Sequence, residues 1–151
     1  MKICFTASSG GHLDELMMLE PIIKEHNSYI FTEKTSYQPK QTKYKTYYTN
    51  QINRKGKRFF IRFLVLWLYS FFNILKERPD VIITTGALVT YPLCVIGRFF
   101  GIKIIFIESI SRIKSPTLTG KKMYKIADSF IVQWEELLEI YPEAIYGGGI
   151  F

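Results

Sequence analysis

Three short stretches carry the side chains able to do chemistry. The first is Ser8-Ser9-Gly10-Gly11-His12, which follows the apolar run Ile3-Cys4-Phe5. Small residues let a backbone approach a ligand closely, and the start of a helix presents unpaired N–H groups and positive potential. Such a turn suits phosphate or another anion. His12, at its mouth, could accept a proton or donate a hydrogen bond. An ordinary strand-to-helix turn with a capping histidine uses the same residues. The second stretch is Thr85-Gly86 and the third is Glu108-Ser109, each directly after an apolar run, with Arg112 and Lys114 beyond the latter. Each has a plain structural use as well. Gly86 can serve only a tight turn, Glu108 can accept local N–H bonds, and the two cations can be solvated surface charges. The pattern falls short of the G-x-G-x-x-G dinucleotide fingerprint, even with Glu33 in the place of a ribose-binding acid. There is no P-loop and no metal-ligand cluster, and His26 has no assigned role.

The elements that must position these residues alternate. Apolar runs at 3–5, 29–32, 80–85, 103–107 and 129–132 predict strands, with a further short strand at 44–49. Helical spacing predicts helices over 13–24, with Pro21 as kink or last turn, and over 58–76, 87–100, 116–127 and 134–141. Pro79 ends the second of these helices, and Gly101 closes the third. Continuous apolar strands alternating with helices indicate an α/β fold: a single Rossmann-like, doubly wound parallel sheet covered on both faces. In such a sheet the ligand lies at the carboxyl ends of the strands, where the strand order reverses. With the common order, the strands ending at Ala7 and Thr85 are neighbours there, and the strand ending at Ile107 lies beside them. The three polar stretches then meet in one crevice.

At 151 residues the chain is the size of one domain, and its net charge of +7 favours an anionic partner. Residues 34–62 hold nine basic and no acidic side chains, interleaved with tyrosines. The helix over 58–77 is apolar nearly all round, too short for a comfortable transmembrane span and too apolar for one wet face. It either packs in the core or on a partner, or dips into a membrane interface. In the latter case Lys55, Lys57, Arg58 and Arg62 would meet lipid phosphates, and Phe63, Trp67, Phe71 and Phe72 the acyl boundary. Nucleic-acid binding would rest on charge and tyrosines alone, and no such partner is expected. Cys4 and Cys94 lie in apolar runs without CxxC spacing and read as buried thiols. With a strand at the N-terminus and no signal peptide, a cytoplasmic location is expected.

The opening KICFTASSGGHLDEL, the segment PDVIITTGALVTYPLCVIGRFFGIKIIFIES and the tail ADSFIVQWEELLEIYPEAIYGGGIF together resemble a bacterial polysaccharide-synthesis family. This is the PssD/EpsE/CpsF type, related to the membrane-bound subunit of the eukaryotic two-part UDP-N-acetylglucosamine transferase. The same pattern is similar to the N-terminal, acceptor-binding half of MurG, a GT-B glycosyltransferase. The resemblance implies a domain spanning 1–151 and equivalent to that half. It would be a non-autonomous subunit, its catalytic partner binding most of the UDP-sugar donor, with no cofactor or metal of its own. The subunit would act on the cytoplasmic face of the plasma membrane, on an undecaprenyl-diphosphate-type acceptor for capsule or exopolysaccharide. A linker to a second domain would begin just after 146–149. By this resemblance His12 and Glu108 compete for the role of general base. Ser8, Ser9, Gly10, Gly11, Gly86, Ser109 and Arg112 would contact the acceptor diphosphate; Ser8-Ser9 replaces a glycine-threonine pair of the MurG pattern. The other function class is a scaffold that anchors and stabilises the catalytic partner without contributing a site residue.

Overall fold

Period-two burial builds the centre of the molecule. In the first strand, β1 (Lys2–Ala7), Ile3, Phe5 and Ala7 face one side and Cys4 the other, all of them buried. The computed structural model describes residues 1–34, 43–52 and 58–150. In chain order there follow α1 (Gly11–Met17), α2 (Glu20–Glu25), β2 (Asn27–Lys34), β3 (Thr46–Asn50) and α3 (Phe59–Glu77). The second half adds β4 (Val81–Gly86), α4 (Tyr91–Phe99), β5 (Lys103–Ile107), α5 (Leu118–Met123), β6 (Ser129–Val132) and β7 (Ile145–Tyr146). All strands pair in parallel in the order β3-β2-β1-β4-β5-β6-β7. The doubly wound sheet of the sequence reading is therefore present, and its order reverses between β1 and β4. Phe5 stands in register with Ile30 on one side and Ile83 on the other. The β1–β4 register slips between Thr6 and Ala7, a local irregularity at the place where the ligand crevice is expected.

Two cores cover the two faces. On one side Ile3, Phe5, Ile30, Ile83 and Ile107 pack under Leu13 and Leu16 of α1 and Ile23 of α2. On the other, Cys4, Tyr29, Phe31, Ile82, Ile104 and Phe106 pack under α3, α4 and α5 through Leu66, Ile74, Leu93 and Met123. Burial in that second core pushes the Cys4 thiol up to about 12 and raises Cys94 as well, so both cysteines are free, buried and protonated.

The helices are shorter and more broken than their periodicity implied. The run 13–24 divides into α1 and α2, because Pro21 suits the first turn of a new helix and not the interior of an old one. The run 87–100 becomes a 3-10 turn, Leu88–Thr90, followed by α4, again with proline in the first turn. Residues 134–141 form a 3-10 helix, Glu135–Glu139. β7 was not foreseen: two exposed residues give no alternation to read. The long helix ends as expected, with Arg78 in the left-handed region (φ 46°), its N–H on the Ile74 carbonyl, and Pro79 beyond.

Candidate functional site

The turns after β1, β4 and β5 lie side by side at the carboxyl end of the sheet, where the β1–β4 register slips and the crevice is expected. Gly10 caps α1 with φ 86° and ψ −148°, and its carbonyl accepts the N–H groups of Leu13 (2.8 Å) and Asp14 (3.0 Å). Only glycine holds that conformation without strain, so the turn needs it. After β4, Gly86 has φ 98°, and a Cβ there would stand 3.3 Å from the Phe106 ring. Next to it Ala87 has φ 85° and ψ 166°, a region that favours glycine strongly. The two backbone irregularities are tied together: the Thr85 hydroxyl donates to the His12 carbonyl at 2.7 Å.

His12 sits on the first turn of α1 with about a third of its side chain exposed (31%). Its Nδ1 is buried and has no hydrogen-bond partner. Ser8 and Ser9 are half-buried beside it. The Ser9 backbone N–H and hydroxyl both go to the Glu33 carboxylate, which burial pushes above its ordinary range. Glu33 is thus an anchor for the glycine turn, and Gly10 and Gly11 are its exposed part.

Glu108 occupies a different environment from the one a mobile base needs. It is 1% exposed, and its carboxylate accepts the Ser109 N–H (3.0 Å), the Thr117 hydroxyl (3.0 and 3.2 Å) and the Thr117 N–H (3.3 Å). The Tyr141 hydroxyl adds a longer contact at 3.4 Å. A Cβ on Gly120 would come within 2.0 Å of a Glu108 oxygen, so the carboxylate is packed into the first turn of α5. Ser109 is buried, its hydroxyl 3.1 Å from that of Ser111, and Arg112 is exposed on the loop. The structure therefore brings Ser8, Ser9, Gly10, Gly11, His12, Gly86, Glu108 and Ser109 to one end of the sheet. Only His12 among the titratable ones keeps both an open surface and an uncommitted ring nitrogen.

Several residues behind the crevice escaped the sequence reading. Glu15, 2% exposed, accepts the Ile110 N–H at 2.9 Å and the Gln133 side-chain amide, and lies 4.0 Å from His12 Nδ1. Gln133 also donates to the Glu108 carbonyl at 2.9 Å and accepts the Ile150 N–H at 3.0 Å. The one available signal was a carboxylate between Leu13 and Leu16, on the face of α1 that must be buried. Among the described residues no three His, Cys, Asp or Glu side chains gather to ligate a metal.

The second candidate surface is α3, and it is inverted. Its polar residues Ser70, Asn73 and Glu77 are buried against the sheet, with the Tyr29 hydroxyl on Asn73 at 2.9 Å. Apolar side chains, among them Phe60, Leu64, Leu68 and Phe72 (63%), point outward, and Phe99 (86%) and Phe100 of the α4 end extend the patch. Of the residues assigned to membrane contact, Phe71 and Phe72 are exposed, as are Arg58 and Arg62. Phe63 and Trp67 instead pack against the core, because they share the turn of the helix that carries Leu66. Lys55 and Lys57 lie outside the described residues, as do 35–42 and the rest of 53–57 within the basic segment 34–62. Arg62 lines, with Tyr48, Thr49 and Tyr69, a groove of about 180 Å³ between the end of β3 and α3.

Comparison with known proteins follows these lines. The profile of the family described as "Oligosaccharide biosynthesis protein Alg14 like" matches residues 3–150. The mouse UDP-N-acetylglucosamine transferase subunit ALG14 is 28% identical over 181 residues, covering 99% of this chain and 83% of that protein. Among solved structures, Acinetobacter baumannii MurG superposes with a TM-score of 0.73 at 14% identity, over 89% of this chain and 42% of MurG. The UDP-GlcNAc 2-epimerase of Neisseria meningitidis, bound to UDP-GlcNAc, gives 0.74 at 13%, over 99% and 47%. The chain spans less than half the length of these two structures, and the likeness to them is one of fold.

Proposed function

The chain belongs to the Alg14-like family of oligosaccharide biosynthesis proteins, and from that premise we propose that it is the acceptor-side subunit of a two-part, UDP-sugar-dependent glycosyltransferase. The observation that carries this reading is the match of 99% of the chain to a subunit of a UDP-N-acetylglucosamine transferase. The superposition on less than half of MurG supports the same division of labour, with the donor held mainly by a separate catalytic partner. The acceptor is a lipid-linked saccharide, and its diphosphate lies over the N–H groups of Gly10 and Gly11, beside Gly86, with Arg112 within the same loop cluster. The subunit itself needs no cofactor.

In the reaction the acceptor oxygen forms a bond to the anomeric carbon of the donor sugar while the bond from that carbon to UDP breaks. The hydroxyl proton passes to a base, and His12 suits that role better than Glu108, whose oxygens already serve Ser109 and Thr117. Membrane recruitment is assigned to the outward face of α3. An apolar patch flanked by Arg58 and Arg62, with Lys121 and Lys122 on α5 and Lys125 just after it in the same layer, fits an anionic bilayer surface. On this reading the protein works peripherally on the inner face of the plasma membrane. The capsule or exopolysaccharide setting of the PssD/EpsE/CpsF type rests on the sequence resemblance.

The experiment is to reconstitute the chain with its donor-binding partner and assay sugar transfer for wild type, His12→Ala and Glu108→Ala. Loss of about 100-fold or more in kcat for His12→Ala, with the complex intact, is expected. Full activity of both variants would support the scaffold reading, which the structural engagement of Glu108 favours.

A further inference from the structure

A buried polar atom without a partner is costly, and one of them faces a buried carboxylate across one turn of α1. His12 Nδ1 is buried and unpartnered, and Glu15 Oε2 lies 4.0 Å away, at the i,i+3 spacing that puts both side chains on one helix face. Glu15 is itself held in place. Its Oε1 accepts the Ile110 N–H and the Gln133 amide, and the orientation of that amide is set by its other bonds, to the Glu108 carbonyl and from the Ile150 N–H. The carboxylate thus cannot turn away without breaking contacts to the β5–α5 loop and to the end of β6.

Two tautomers of a neutral His12 are possible. With the proton on Nε2, a lone pair on Nδ1 would face a buried carboxylate, placing two acceptors against each other. With the proton on Nδ1, a small side-chain rotation closes an N–H···O bond that satisfies both groups. We propose that Glu15 is the positioning residue of the site: it fixes the Nδ1–H tautomer of His12 and leaves the Nε2 lone pair for the crevice. This deepens the reading of His12 as general base and rests on it for its functional meaning. Glu15, and not Glu108, is then the carboxylate on which catalysis depends, through His12.

The test reads the tautomer directly. The full chain carrying His26→Asn leaves His12 as its sole histidine, the sequence having two. Histidine-labelled with 15N, it is examined by long-range proton–nitrogen correlation at neutral pH. Nδ1 protonated and Nε2 bare is the expected pattern. In Glu15→Gln the preference shifts toward Nε2–H, and the variant complexed with the donor-binding partner loses about 10-fold or more in kcat, with acceptor KM within about 2-fold. A wild-type ring protonated on Nε2 overturns the proposal whether or not the variant folds. A folded Glu15→Gln chain with an unchanged nitrogen pattern overturns it equally. Undiminished transfer by His12→Ala would remove the general-base reading while leaving the tautomer result to stand or fall by itself.

Discussion

At the residue scale, the crevice separates two candidates of similar appearance by what each one touches. Glu108 accepts from three donor groups within 3.3 Å, the Ser109 N–H and the Thr117 hydroxyl and N–H, so its removal leaves the Thr117 O–H and N–H without an acceptor. Glu108→Ala is expected to cost about 2 kcal/mol of stability in urea unfolding. His12→Ala, at the partly open mouth, stays within about 0.5 kcal/mol of wild type. Stability and activity should therefore divide the two positions in opposite ways. Ala87 offers a second check. Its φ of 85° is strained for any residue with a Cβ, so Ala87→Gly should raise stability by about 1 kcal/mol despite the added freedom of the unfolded chain. His12 and Glu108 could be found in the sequence because polar residues after apolar runs are conspicuous. Glu15 could not, since a carboxylate on a helix says nothing of the amide groups that will meet it from residues 110 and 133.

At the element scale, α3 shows how a uniform composition hides a direction. Its apolar character was plain, but a helix apolar all round does not say which side faces the sheet. The buried stripe turns out to be the one with Ser70, Asn73 and Glu77, because these find partners or close packing on β1, β2 and β3. Trp67 and Phe63 are drawn inward with that stripe, and the outward face falls to Phe60, Leu64, Leu68 and Phe72. Phe72→Ser combined with Leu68→Ser should change thermal stability little, since both side chains already meet solvent. The same pair should weaken co-sedimentation with vesicles containing anionic lipid by about 10-fold or more. Unchanged vesicle binding by the folded double variant would exclude this face as the membrane contact. Trp67→Ser is the contrasting case, expected to destabilise the fold because the indole packs on the core.

At the scale of the whole molecule, Glu77 clamps the amino-terminal edge of the sheet. Lys2 of β1 and Lys45 before β3 approach it at 2.7 Å, and the Tyr47 hydroxyl joins them. Burial pushes the Glu77 carboxyl up, but the bonds from Lys2, Lys45 and Tyr47 outweigh it and hold it at about 2, against 4.5 for a free glutamate. A depressed carboxylate stabilises the fold above its unfolded value and loses that contribution as pH falls through its folded one. Thermal stability should thus decline between about pH 4.5 and 2, and Glu77→Gln should flatten that decline at the cost of stability near neutrality. Glu33, raised by burial, works in the opposite sense and at higher pH, adding stability as pH falls toward about 4.5. What the sequence by itself determined was the alternation of buried strands and helices, the meeting of the turns after residues 7, 85 and 107, and the glycine-histidine turn among them. These follow from local periodicity and from the way a parallel sheet must reverse its strand order. Tertiary structure alone decided which side chains in the crevice are free. Hydrogen-bond partners more than 90 residues apart in the chain, such as Glu15 with Ile110 and Gln133, exist only once the sheet has brought them together.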